Sequence, residues 1–365
     1  MRIAFYAPLK SPDHPVPSGD RLMARLLMAA LRQGEDRVEL ASQLRSYLGD
    51  AQDWQGLAKL QAAADVERDR LRALWQRDGP PDLWLCYHPY YKAPDLIGPA
   101  LCKEFSRPYV TVEASYSARR NHGIWAGMQA QVHAAVSAAS VNICLTARDH
   151  DGLKEGVPRA RLARLAPFID ATALLKRAPE PQPTRLICVA MMRAGDKADS
   201  YAHLAAALDR LQDLPWHLTI VGDGPARAQI EARFAAFAPE RLSWVGQQDE
   251  ATIAGLLAQS AIYVWPGCGE AFGLAYLEAQ AAGVPVLAWR TAGVPEVVAD
   301  GVSGVLTPEG DDGAYADALA SLLQDAPRRA ALAQGARARV AQHHTLQVAA
   351  AALKQTLGDI TGGRT

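Results

Sequence analysis

Glu270 and Glu278 stand with seven residues between them in WPGCGEAFGLAYLEAQAAG, Trp265 to Gly283. A carboxylate of this kind can bind sugar-type hydroxyls or stabilise positive charge that develops during a reaction. A strand-like run, Ala261 to Trp265, feeds a loop of Pro266, Gly267, Cys268 and Gly269. Glu270 follows, and Phe272-Gly273-Leu274 opens an alanine-rich helix that carries Glu278 and stops at Gly283. Val284-Pro285 begins a new extended segment, so strand, glycine loop, helix, glycine stop and strand make a βαβ unit. Free N–H groups and the peptide dipoles at such a helix start favour a phosphate or diphosphate. Glycines beside Glu270 and at Gly273 let a ligand approach the main chain. Glu278 sits among Leu274, Tyr276, Leu277, Ala279 and Ala281. A solvent-facing glutamate is the ordinary outcome on a helix, but the first half of this helix offers no clear polar face. An unpaired buried carboxylate is costly, so an inward Glu278 that binds hydroxyl groups is expected.

Other groups fall where strands end. Arg193 and Lys197 stand in CVAMMRAGDKADSY, just past a strand, where cations can offset negative charge on a leaving group. Gly222-Asp223-Gly224-Pro225 follows HLTIV and reads as a tight turn, because the third glycine of a dinucleotide fingerprint is absent. Val245 to Gln248 ends another strand, and main-chain contacts beside Gln247 suit a nucleobase. In the first half, the loop PLKSPDHPVPSGD sets Ser18 and Gly19 at a helix N-terminus. It also reads as an ordinary proline-rich surface loop. His88 follows one strand and Glu113 ends the next, with Arg119, Arg120, Asn121 and His122 beyond; the arginines suit an anionic acceptor. A lone histidine is more often structural than catalytic. No HExxH or clustered His/Cys spacing suggests a metal, and Asp311-Asp312 resembles a helix N-cap.

The segment GEAFGLAYLEAQAAGVPV, followed by GVPEVV and GVSGVL, resembles the sugar-nucleotide site of the family 4 retaining glycosyltransferases. The match covers most of the chain in outline and is specific from Arg185 to about Leu306. The resemblance implies the GT-B fold: α/β, two Rossmann-like parallel-sheet domains facing across a cleft, with a C-terminal helix crossing back to the first domain. Closure of the two domains would exclude water from the donor. It implies a retaining, metal-independent hexosyl transfer from a nucleotide-diphosphate-sugar to a carbohydrate, lipid-linked or small-molecule acceptor, as in polysaccharide or glycolipid-precursor biosynthesis. No cofactor is expected beyond that co-substrate.

In that scheme Glu278 binds the ribose hydroxyls, and Glu270 meets the sugar beside the N–H groups near Phe272, Gly273 and Leu274. Lys197, with Arg193, stabilises the leaving diphosphate. The family pattern places its arginine five positions before the lysine, where Arg193 stands four before Lys197. Gly19, Gly222 and Gln247 complete the donor side, and His88, Arg119, Arg120 and His122 form the acceptor side. The family frequently has a histidine where Glu113 aligns, so its acid/base or sugar-contacting role falls to Glu113 or to Asn121-His122. A sugar-nucleotide epimerase or hydrolase of the same fold, and a non-catalytic sugar-nucleotide-binding protein, are the rival readings.

The elements that must position these groups alternate. RIAFYA, RVELA, DLWLCY, PYVTVE and SVNICLT read as strands in the first half, with helices at 22–34 and 53–75. Strands at 185–190, 217–222, 242–246, 261–265, 285–289 and 304–307 fill the second half. Helices there are expected at 200–212, 225–237, 250–259 and 314–324. Residues 328–357 read as alanine-rich helix. Alternation of this kind implies parallel sheets covered on both faces, with ligands at the carboxyl ends of the strands.

The 365 residues suit two domains. The proline-dense run Pro179 to Pro183 suits the linker, giving domains 1–178 and 179–345 and a returning helix 346–365. A net charge of −1 gives no support for nucleic acid as a partner. Residues 1–180 carry 24 basic and 20 acidic groups, a difference small enough to be incidental as a rule, which at most suits an anionic acceptor or a peripheral membrane contact. The five scattered cysteines read as reduced core residues. The chain starts directly in a strand, without a signal-peptide pattern, so a cytoplasmic location is expected.

Overall fold

The computed structural model describes residues 1–361, and within them the chain forms two compact units, each built on a six-stranded parallel sheet. Unit 1 alternates β1 (Arg2–Tyr6), α1 (Gly19–Gln33), β2 (Arg37–Leu40), α2 (Trp54–Asp78), β3 (Leu83–Tyr87) and α3 (Gly98–Glu104). It continues with β4 (Tyr109–Val112), α4 (Ile124–Ala138), β5 (Val141–Cys144), α5 (Ala147–Gly156) and β6 (Leu162–Arg164). Unit 2 holds α6 (Thr172–Lys176), β7 (Arg185–Val189), α7 (Asp196–Asp209), β8 (His217–Val221), α8 (Arg227–Arg233), β9 (Leu242–Gly246) and α9 (Glu250–Ala258). Then come β10 (Ile262–Val264), α10 (Leu274–Ala281), β11 (Val286–Trp289), α11 (Val294–Val297), β12 (Gly304–Thr307), α12 (Asp312–Gln324) and α13 (Ala326–His343). The last helix, α14 (Leu346–Thr361), belongs to unit 1 and packs against α1.

The expected strands are all present within a residue or two of their bounds. The differences lie elsewhere. Helix α8 ends at Arg233, short of residue 237, and the stretch 328–357 is two helices broken at His344 and Thr345. The break is tertiary: His344 Nδ1 lies 2.7 Å from the Pro167 carbonyl, and the Ile169 N–H donates to the His344 carbonyl. Those contacts also tie residues from Pro167 onward to unit 2, so the division falls between Ala166 and Pro167, earlier than 178/179. The proline run is held to unit 2, with the Glu180 and Gln182 N–H groups donating to the Ala258 and Gln259 carbonyls.

Strand order is β2-β1-β3-β4-β5-β6 in unit 1 and β12-β11-β10-β7-β8-β9 in unit 2. In each sheet the chain first builds outward on one side and then on the other. The order therefore reverses between β1 and β3, and again between β7 and β10. The loops leaving two such neighbouring strands diverge to opposite faces and leave a crevice at their carboxyl ends, where α/β sheets bind ligands. Two-sided burial explains the apolar strands: β3 (LWLCY) and β11 (VLAW) are buried throughout. In unit 1, Tyr6, Trp75, Trp84 and Phe105 form a chain of tilted and edge-on ring contacts 5.3 to 6.1 Å apart. The buried Asp95 beneath them accepts from Trp84 Nε1, the Tyr109 hydroxyl and the Ile97 and Gly98 N–H groups.

Candidate functional site

At the reversal between β7 and β10, unit 2 brings Lys197 and Glu270 together. The loop after β7 turns at Gly195, whose φ of 78° begins α7 and puts Lys197 in its first turn. The loop after β10 carries Glu270. Lys197 Nζ pairs with Glu270 Oε1, which also accepts from Trp265 Nε1 at 3.2 Å, and the ammonium lies 5.6 Å from the Trp265 ring centre. Ser200 locks the two loops together: its hydroxyl accepts from the Cys268 N–H at 2.9 Å and donates to the Asp196 carbonyl. The two loops that carry the ion pair are therefore tied to each other. Neither Ser200 nor Trp265 carried a sequence signal for this role. Arg193 is exposed beside them, with no side-chain partner among the described residues.

The glycines of this loop do two jobs. A Cβ on Gly267 would lie 2.3 Å from the Tyr276 hydroxyl, and one on Gly273 2.6 Å from the Tyr276 ring; both residues also have positive φ. The space that the sequence suggested for a ligand is thus partly filled by Tyr276, whose hydroxyl donates to the Trp265 carbonyl at 3.1 Å. Helix α10 begins after Gly273 without a side-chain cap; the Tyr276 N–H donates to the Gly273 carbonyl, and the Leu274 and Ala275 N–H groups stay open to an anion. Phe272 and Leu274 are buried on either side of that opening.

Glu278 lies on α10, half-buried. Burial pushes its carboxyl up to about 7, with repulsion from Glu250 at the start of α9 adding to the shift. No hydrogen bond or ion pair reaches that carboxyl among the described residues. A desolvated acid without a partner is costly, and an incoming hydroxyl would relieve it. Gly222 and Gly224 bring the loop after β8 against the loop after β7: added Cβ atoms would meet the Ala190 carbonyl oxygen at 1.9 Å and the Met192 carbonyl oxygen at 2.3 Å. Gln247 is exposed at the end of β9. Asp311 caps α12 through the Ala314 N–H, while Asp312 pairs with His203 at 2.9 Å.

Unit 1 builds a second polar group at its own reversal point. Ser18 caps α1 by accepting from the Arg21 N–H, with exposed Gly19 as the first helical residue. Asp20, in the first turn, lies 3.0 Å from His88 Nδ1 just beyond β3. Glu113, just beyond β4, is 93% buried by its 7% exposure, and its Oε2 has no partner. His88 and Glu113 both hold left-handed backbones, φ 59° and 57°, conformations that cost a residue with a side chain about 1–2 kcal/mol. Burial opposes the imidazolium, but Glu113 and the hydrogen-bonded Asp20 outweigh it and raise His88 to about 9. Burial pushes Glu113 up to about 7 despite the pull of His88 and Tyr87. His88 lowers Asp20 in turn against its burial. Asp20 was missed in the sequence; an acid after a Ser-Gly helix start was the available signal. Arg119, Arg120 and His122 are exposed and make no hydrogen bond or ion pair with this group; Arg120 lies over the Tyr91 ring and His122 against Trp125, and ring contacts through Tyr90 connect Tyr91 to His88.

Residues 183–325 match the family described as glycosyl transferases group 1. The chain is 36% identical over 146 residues to a D-inositol 3-phosphate glycosyltransferase of Mycolicibacterium paratuberculosis, covering 39% of this chain and 32% of the relative. The chain therefore spans about a third of the length of the curated relatives it matches. Along nearly its whole length it is similar in fold to sucrose-phosphate synthase from Thermosynechococcus elongatus, with a TM-score of 0.75, 20% identity and 99% of each chain covered. It is also similar to Anabaena HepE in complex with UDP, with a TM-score of 0.70, 17% identity, and 98% and 100% of the chains covered. The chain carries a glycosyl transferases group 1 segment at residues 183–325, within the two-sheet α/β fold of the GT-B glycosyltransferases.

Proposed function

We propose that the protein is a retaining glycosyltransferase that moves a sugar from a nucleoside-diphosphate-sugar to an acceptor hydroxyl. The observation that carries this reading is the crevice between β7 and β10: an uncapped helix start, a fixed Lys197–Glu270 pair, and an unpartnered Glu278 on the same helix. The α10 N–H groups would meet the diphosphate and Glu278 the ribose hydroxyls, while Lys197 would divide its charge between Glu270 and the phosphates. As the bond from the anomeric carbon to the diphosphate breaks, the diphosphate keeps the electron pair, and Lys197 stabilises the charge that develops there. The sugar passes through an oxocarbenium-like state, which Glu270 would stabilise, and as the new C–O bond forms the acceptor hydroxyl gives its proton to the departing diphosphate oxygen. Neither carboxylate is required to dissociate a proton from the donor, so binding and charge placement supply the rate. In unit 1, the Asp20–His88–Glu113 group would hold hydroxyls of a sugar substrate. UDP is the first nucleotide to test, because the Anabaena relative's structure contains it.

The test is transfer itself. Incubation with UDP-sugars and a panel of glycoside acceptors is expected to release UDP only when an acceptor is present. Lys197→Ala is expected to lower turnover more than donor affinity. Release of UDP at one rate with and without acceptor, or a Lys197→Ala variant of unchanged turnover, would contradict the reading.

A further inference from the structure

The loops that leave β7 and β10 carry opposite charges, and a neutral hydroxyl joins them. Ser200 is fully buried in the second turn of α7. A buried helical serine with no wider task bonds the carbonyl four residues back and nothing more. Ser200 does donate to the Asp196 carbonyl, at 2.8 Å. It also accepts from the Cys268 N–H at 2.9 Å, across 68 positions of sequence. Alanine is the better helix former, but it would leave that N–H without its partner.

The main chain is shaped for this contact. Gly269, next after Cys268, has φ 63°, and a Cβ there would stand 2.3 Å from Asp196 Oδ2. Glycine lets the loop lie this close to the first turn of α7. Lys197 directly follows Asp196, Glu270 stands two residues after Cys268, and their side chains pair. An ion pair is a poor brace for a reaction in which Lys197 turns part of its charge toward a diphosphate. The Ser200 hydroxyl carries no charge and already has its partners, so its tie outlasts that exchange. We propose that Ser200 is a positioning residue that keeps Lys197 and Glu270 at their working separation while Lys197 changes partners. The proposal rests on the reading of the protein as a glycosyltransferase and adds the contact that sets the spacing of the two charges.

The test compares turnover with a UDP-sugar and acceptor against UDP affinity by calorimetry, both in the full chain. Ser200→Ala is expected to lower turnover about tenfold or more, since small misplacements of reacting groups are costly, with UDP affinity close to that of the wild type. In a Glu270→Gln background the same substitution should cost well under that factor, because the group it places is already altered. Ser200→Cys, whose thiol is a weaker acceptor, should fall between Ser200→Ala and the wild type, and it decides alone if Ser200→Ala does not fold. Turnover equal to the wild type, equal losses of turnover and UDP affinity, or full additivity with Glu270→Gln would overturn this proposal, while transfer by the wild type would still uphold the wider reading. Absence of transfer by the wild type would overturn both.

Discussion

Two carboxyls, the buried Glu113 and the half-buried Glu278, are both pushed to about 7, and His88 is raised to about 9. Each holds its proton more tightly in the fold than in the unfolded chain. The stability each confers is complete below its unfolded value, then lost as pH rises through about 7 for the acids and about 9 for His88. Asp20 runs the other way, stabilising above its ordinary value and losing that contribution as pH falls through its lowered one. Glu113→Gln is therefore expected to gain on the wild type in unfolding free energy between about pH 5 and 7. The same variant should move the His88 midpoint, followed by NMR of the ring, from about 9 toward 6.5; an unmoved midpoint would rule out the Glu113–His88 coupling. Hydroxyls donate best to an ionised acid, so nucleoside diphosphate affinity should rise as Glu278 ionises through pH 7. Glu278→Gln should flatten that rise in calorimetry. Glu278 was legible because an acid stood out in an apolar helix. The His88–Asp20 pairing was not, because residues 68 positions apart meet only through the strand order.

At the scale of elements, glycine punctuation made the βαβ unit readable, while its packing reasons lay in side chains that no local pattern reveals. Gly222→Ala would drive a Cβ to 1.9 Å from a backbone oxygen at a φ of 139°. It should destabilise the protein by about 2–4 kcal/mol and weaken diphosphate binding. Gly310 has φ 78° but open space around its Cβ position. Gly310→Ala should therefore cost only about 1–2 kcal/mol, with binding untouched. Equal losses of stability in chemical denaturation would show that strain, not the clash with Ala190, sets the cost. The elements absent from the reading were β6, α3 to α6 and α11. They are short or weakly amphipathic, and β6 forms because β5 offers an edge beside it. The break at His344 was equally hidden, since alanine-rich sequence continues on both sides and only the contacts to Pro167 and Ile169 impose it.

At the scale of the whole chain, length and alternation were enough to give two parallel sheets, and the returning helix followed from the resemblance. Helix α14 buries Leu346, Ala349, Ala350, Leu353 and Leu357 within unit 1. Leu353→Ala and Leu357→Ala should each cost about 2–5 kcal/mol. By hydrogen exchange the loss should fall on α1 before it reaches the strands of unit 2. Uniform loss across both units would mean that the two unfold as one. The boundary at Ala166 was less legible than the sheets, because a proline-dense run reads as a linker even when its N–H groups are bonded to one side.

The most direct test of the central claim is calorimetric titration of UDP into the wild type, Glu278→Ala and Lys197→Ala. Saturable binding by the wild type is expected, weakened about tenfold or more in Glu278→Ala, which is about 1.4 kcal/mol. Absence of binding to the wild type, or equal affinity in Glu278→Ala, would contradict a nucleotide site on α10.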